Sequence, residues 1–323
     1  MNLRNKKILI TGGTGFIGSA IVNKLTSYYN DINILSRQKE NFWRIENIKK
    51  CTFHKVDLAN FKDTEKCVKK INPEIIFHLA GYITSERNFK AFDKCFRINY
   101  INTKNLLLSL NDVEYDLFIN TGTAMEYGNN RPPLKENLRE DPISPYSASK
   151  IFVTKYCELL ANLYSKPIIT VRPTITYGPK QIGRFLIPWL IFSGIEGEPL
   201  ALTPCEQTRD FIFIEDVVDA YFQLSENYQK IGDERIFNIS SGKGIKILMI
   251  IDIIRNALKD AKFKIGEKAY RSGEPMEFYA SIDKIKDITG WYPKWTIKDG
   301  LESTLNWWLN NRSIWIKFKH LWL

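Results

Sequence analysis

The sequence predicts an α/β fold: a doubly wound parallel sheet with a smaller, interleaved C-terminal lobe. Three observations predict it. Short apolar runs alternate with longer amphipathic stretches through the first half, a glycine-rich turn joins the first run to the first helical stretch, and the pattern loosens after Pro173. Strands separated by helices read as βαβ units, which place parallel strands side by side with helices on both faces.

The strand-like runs are residues 7–11, 32–35, 52–55, 75–79, 117–120 and 168–172, each short, apolar and bounded by turn-forming residues. Segments 16–28, 92–110 and 144–164 have helical length and period. Beyond Pro173, Gly178-Pro179, Gly183, Pro188, Gly194, Gly197, Pro199 and Pro204 break the chain into short elements, the texture of a lobe that closes over a ligand. Residues 211–214 and 235–239 again read as strands, so the two lobes are expected to interleave.

At 323 residues and 44% hydrophobic, the chain can bury one large core or two lobes sharing a cleft. A formal charge of +10 favours an acidic partner. The charge is dispersed rather than gathered into a basic arm, so no nucleic-acid partner is expected. Five scattered cysteines, none in a CxxC pair, and only His54, His78 and His320 suggest neither a disulfide framework nor a metal site. No run is long and apolar enough for a signal peptide or a membrane span, and a cytoplasmic location is expected.

In ILITGGTGFIGSAIVNKL, Gly12, Gly15 and Gly18 lie directly between an apolar strand and an amphipathic helix. Glycines there permit the tight turn, the approach of backbone to a pyrophosphate and close helix-on-strand packing. The phosphates are expected on the N–H groups near Phe16 and Ile17. Residues 1–172 with about 211–242 are therefore read as a Rossmann dinucleotide-binding domain, and 173–210 with 243–323 as a substrate-binding lobe and tail. The second strand ends in NILSRQ, where an NAD site would carry a carboxylate for the ribose. Ser36 and Arg37 instead offer a hydroxyl and a cation to a 2′-phosphate, so NADP(H) is the expected cofactor and NAD(H) the alternative.

The GxxGxxG spacing after Thr11 resembles the extended short-chain dehydrogenase/reductase family, the NAD(P)-dependent nucleotide-sugar epimerases and dehydratases. Matches follow in order: Asp57 and Leu58 where the adenine is held, His78-Leu79-Ala80-Gly81 after the fourth strand, and Asn99 in the long helix. His78 itself reads as a packed strand residue. Tyr146 and Lys150 form YxxxK in SPYSASK, a spacing that puts both side chains on one helical face, where the ammonium can stabilise the phenolate. The resemblance gives Lys150 a second contact, the nicotinamide ribose. It also implies a third catalytic hydroxyl just after the fifth strand, and counting back from Gly128 makes that residue Thr123, beside the substrate oxygen.

Branches of this family add acid or base groups to the triad. Sugar 4,6-dehydratases place an Asp-Glu pair after the catalytic threonine; here Ala124 and Met125 stand there, and neither can move a proton. Met125 also replaces the cysteine of the epimerase/reductases that invert neighbouring carbons. Glu126, one position later, reads as a substrate contact or as a plain loop residue. NADPH reduction of a nucleotide-linked 4-keto-6-deoxyhexose, supplying a deoxysugar for surface polysaccharide, is the favoured expectation. NAD-dependent 4-epimerisation is the alternative, and a non-catalytic NADP-binding sensor or scaffold the minor one.

RPTITYGP, RFLIPWLI and QTRDFIFIEDVVDA resemble the family's substrate lobe, which makes Arg209, and Arg271 in YRSGEP, the expected diphosphate-binding arginines. A departure at Ile175-Thr176 leaves the nucleotide open among dTDP, CDP, GDP and UDP. The resemblance implies a homodimer through helices after the fourth and fifth strands. The final NNRSIWIKFKHLWL exceeds the resemblance. Its Trp315, Phe318, Trp322, Lys317 and Lys319 allow contact with an anionic membrane surface, or packing on the protein itself.

Overall fold

The computed structural model describes residues 3, 5–28, 31–37, 42–183, 185–271 and 273–318. Strands β1 (Ile8–Thr11), β2 (Ile32–Ser36), β3 (Cys51–Lys55), β4 (Ile75–His78), β5 (Leu117–Thr121) and β6 (Ile168–Pro173) form the sheet that the apolar runs predict. The chain then makes the short strands β7 (Ile175–Tyr177), β8 (Leu200–Ala201), β9 (Thr208–Arg209) and β10 (Phe211–Phe213). It returns to the sheet as β11 (Ile236–Ile239) and adds β12 (Ile245–Lys246) and β13 (Phe263–Lys264). The seven-stranded sheet runs β11-β6-β5-β4-β1-β2-β3, all parallel. Every residue of β1, β4, β6 and β11 is buried, as a sheet covered on both faces requires. The strand order reverses between β1 and β4, and such a switch point opens a crevice at the carboxyl ends.

The covering helices are α1 (Phe16–Tyr28), α2 (Phe61–Ile71), α3 (Phe89–Cys95), α4 (Asn102–Ser109) and α5 (Pro145–Tyr164). The stretch expected as one helix over 92–110 is α3 and α4 joined by a π-helical turn, Phe96–Ile101. The wider turn changes which residues face inward and brings Asn99 into the interior. Helix α5 starts sharply: Ser144 and Ser147 cap each other's backbone, and Pro145 takes the first position, where no amide hydrogen is needed.

Both later strand readings are found: Phe211–Phe213 pairs with Ile175–Tyr177 as a separate parallel ribbon, and β11 returns to the main sheet beside β6. Helices α6 (Leu186–Glu196), α7 (Ile214–Glu226), α8 (Ile247–Ala257), α9 (Asp283–Thr289), α10 (Ile297–Asn310) and α11 (Arg312–Phe318) complete the chain. One apolar core continues from α1 and the sheet into α6, α7, α8 and α10. No helix among the described residues is long and apolar enough to cross a membrane. In α11, Trp315 stacks on Phe192 with ring centroids 3.7 Å apart, and Phe318 stacks on Trp43 at 5.2 Å. Trp315 and Phe318 are thus buried in their own protein, the packing alternative; Lys319, His320 and Trp322 lie outside the described residues.

Candidate active site

The glycine turn is built as its sequence requires. Gly12 has φ +69°, and a Cβ there would stand 2.7 Å from the backbone of Ala80; a Cβ on Gly18 would meet the Gly12 carbonyl oxygen at 2.2 Å. Gly15 is different, because its Cβ would approach only the Gly12 oxygen, at 3.1 Å. Gly12 and Gly18 are thus fixed by packing, and Gly15 leaves open surface. Phe16 and Ile17 begin α1, half-buried, with their amides at the helix N-terminus.

A cleft of about 370 Å³ lies over this turn. Gly12, Gly15, Ser36, Arg37, Asp57, Leu58, Leu79, Ala80 and Gly81 are among the residues that line it. Arg37 is exposed at the rim, and Asp57 caps its own turn by accepting from the amide of Ala59 at 3.1 Å. A glycine turn whose open face meets a cleft at the switch point fits a dinucleotide. Its pyrophosphate would lie on the start of α1 and its adenosine between Ser36-Arg37 and Asp57-Leu58.

Asn99 does not line the cleft. Its Oδ1 accepts from the amide of Tyr82 at 2.7 Å, and its Nδ2 donates to the Tyr82 carbonyl and to Ser149 Oγ. Asn99 thereby ties the loop after β4 to α5. His78 is the packed residue expected. It bonds Thr11 through Nδ1 at 2.6 Å and Thr103 through Nε2 at 2.8 Å. Since Thr103 donates onward to the Asn99 carbonyl, the network assigns the ring proton to Nε2. Burial, aided by the Lys150 charge, holds the His78 pKa down to about 3.

Thr123, Tyr146 and Lys150 converge. Thr123 caps a short 3₁₀ turn after β5, its hydroxyl accepting from the amide of Met125 at 3.2 Å, and it lies close enough to the Tyr146 phenol to influence its titration. Lys150 Nζ donates to the carbonyl of Thr121 at 2.7 Å and lies where a Cβ on Gly81 would be 3.3 Å away. The sequence has the ammonium pulling the phenol pKa down. In the structure burial pushes the Tyr146 phenol well above its ordinary value, with the Thr123 hydroxyl opposing and the Glu126 charge adding to the rise. Burial likewise lowers Lys150 to about 8. Burial thus favours the protonated phenol of Tyr146.

Glu126 sits in the 3₁₀ turn after β5 rather than in a loose loop. Its side chain is fully buried: Oε1 accepts from the amide of Thr123 at 2.9 Å, and Oε2 pairs with Arg172 at 2.8 Å. Arg172, equally buried, also donates to Glu140 at 2.7 Å and stacks over Tyr127. The sequence reading missed Arg172 and the Glu126 role, although Thr123-x-x-Glu126 is a capping-box spacing. In β9 Arg209 donates to the Thr208 carbonyl and pairs with Glu274. Arg271 is exposed on the same turn, its carbonyl accepting from the Glu274 amide.

A doubly wound sheet, a glycine turn at its switch point and a Thr-Tyr-Lys cluster beside the cleft define a dinucleotide-dependent α/β oxidoreductase. Residues 8–240 match the model of the NAD dependent epimerase/dehydratase family, and the chain belongs to that family, within the extended short-chain dehydrogenases/reductases. It is 30% identical to a putative UDP-glucose 4-epimerase of Methanocaldococcus jannaschii, over 94% of this chain and 99% of that one. It is 28% identical to the dTDP-glucose 4,6-dehydratase of Haemophilus influenzae, over 95% and 98%. Among solved structures, UDP-glucuronic acid 4-epimerase of Bacillus cereus, in complex with UDP-glucuronic acid and NAD, superposes with a TM-score of 0.85 at 25% identity. That match covers 94% of this chain and 99% of the other.

Proposed function

We propose that the protein is an NADPH-dependent reductase of a nucleotide-diphosphate 4-keto-6-deoxyhexose. The observation that carries this reading is the end of β2, where Ser36 and the exposed Arg37 face the cleft in the place of a ribose-binding carboxylate. The acid and base inventory supports it. Beside Thr123 stand Ala124 and Met125, which cannot move a proton as the elimination of water would require.

When bound, the nicotinamide supplies the hydride. Thr123 and Tyr146 hold the keto oxygen, and Tyr146 delivers its phenolic proton to that oxygen as the carbonyl becomes an alcohol. Lys150 supplies positive charge next to the phenol, so the phenolate left behind is stabilised. Arg209 and Arg271 grip the diphosphate, with Glu274 orienting Arg209. Exposed apolar side chains on α5, Phe152, Leu159 and Leu163, support a homodimer through that helix.

The names of the relatives favour a second reading, NAD-dependent 4-epimerisation, which uses the same three residues. NADPH absorbance during incubation with nucleotide-linked 4-keto-6-deoxyhexoses, with Tyr146→Phe as control, decides between them. Stoichiometric oxidation abolished by the substitution supports the reductase. No oxidation, with interconversion of UDP-hexoses instead, replaces it by the epimerase.

A further inference from the structure

The Glu126–Arg172 pair has no solvent exposure at either side chain, and such a pair is weak in net stability because both charges are desolvated. Arg172 Nη1 is buried without a hydrogen-bond partner, so the pair is not optimised for stability alone. Its geometry points toward the reacting groups. Glu126 Oε1 accepts from the Thr123 amide, and Gly122 leaves room for that oxygen: a Cβ there would come within 2.5 Å of it. The other oxygen is held by Arg172, which Tyr127 and Glu140 fix in turn, while the Tyr127 hydroxyl donates to Asn238 at 2.8 Å.

We infer that Glu126, clamped by Arg172, is a positioning residue for the catalytic triad: it fixes the backbone of Thr123 and sets a carboxylate near Tyr146 and Lys150. The inference rests on reading Thr123, Tyr146 and Lys150 as the reacting groups. Around Tyr146 the titratable or hydroxyl groups are Thr123, Glu126, Cys95 of α3 and Tyr221 of α7. Around Lys150 they are Glu126, Cys157 of its own helix and His78 of β4. Among the described residues Glu126 is the one carboxylate in either set. Its charge favours the protonated form of both Tyr146 and Lys150, and at the lysine it opposes the burial that lowers the pKa to about 8.

The test compares the full-length protein with Glu126→Gln and with Glu126→Gln/Arg172→Met, the second leaving no uncompensated buried arginine. Lys150 is followed by NMR titration of ¹³Cε-lysine-labelled protein, its signal assigned with Lys150→Met, and turnover is followed as a pH profile. Both variants are expected to lower the Lys150 midpoint by on the order of one unit. The high-pH limb of keto reduction should move down with it, and kcat should fall while KM holds. An unmoved or raised Lys150 midpoint in the double variant, with its thermal transition intact, overturns the inference. If no keto sugar is turned over by any variant, the proposed substrate falls, whereas the NMR midpoint still decides the role of Glu126.

Discussion

Lys150 Nζ donates to the carbonyl oxygen of Thr121 at 2.7 Å, which ties the catalytic helix to the end of β5 two residues before Thr123. The ammonium is thus spent partly on the scaffold. Its burial, which lowers its pKa from the ordinary 10.5 to about 8, has consequences for stability.

A lysine whose pKa is lower in the folded than in the unfolded state binds fewer protons when folded, so stability rises with pH between about 8 and 10.5. The cost is fully present below pH 8. Lys150→Met is therefore expected to stabilise the protein at pH 7, by up to ~3 kcal/mol, while turnover falls at least about 100-fold. Denaturant unfolding at pH 7 and at pH 10.5 checks this; a gain of equal size at both would show that the charge is not its source.

The glycine turn separates packing from binding. Gly18→Ala, whose Cβ would stand 2.2 Å from the Gly12 oxygen, is expected to cost about 3 kcal/mol. Gly15→Ala, with a single 3.1 Å approach, should cost about 1 kcal/mol in stability yet weaken cofactor binding at least tenfold. Unfolding curves and cofactor titrations on both variants measure the contrast, and equal stability losses would contradict it.

Ser36→Asp places a carboxylate at the end of β2, where Ser36 and Arg37 line the cleft. Repulsion of a 2′-phosphate should weaken NADP+ binding by roughly 10- to 100-fold and leave NAD+ binding unchanged or improved. Fluorescence titration with both cofactors reads this out. Unaltered NADP+ affinity would remove the argument for NADPH.

The C-terminal helix is part of the core. Trp315→Ala deletes an indole stacked on Phe192 and hydrogen-bonded through Nε1 to Glu196 at 2.9 Å. A loss of about 3–5 kcal/mol is expected, read from the thermal transition. Liposome sedimentation of full-length protein and of a chain ending at Asn311 should be equal; retention by full-length protein alone would restore the membrane reading.

Local pattern determined a good deal by itself. Period and turn chemistry were enough for β1 to β6, for the start of α5 at Ser144-Pro145 and for the glycine turn, because these depend on neighbours a few residues apart. The placing of Tyr146 and Lys150 on one face followed from helical spacing alone. Tertiary structure decided what depends on partners distant in sequence. The π turn that draws Asn99 inward, the Arg172 that pairs with Glu126 from 46 residues away and the Phe192 that receives Trp315 leave no mark in local periodicity. The same holds for the titration of Tyr146 and Lys150: spacing predicts an ammonium near a phenol, but whether charge or burial dominates depends on how much water the assembled lobes exclude.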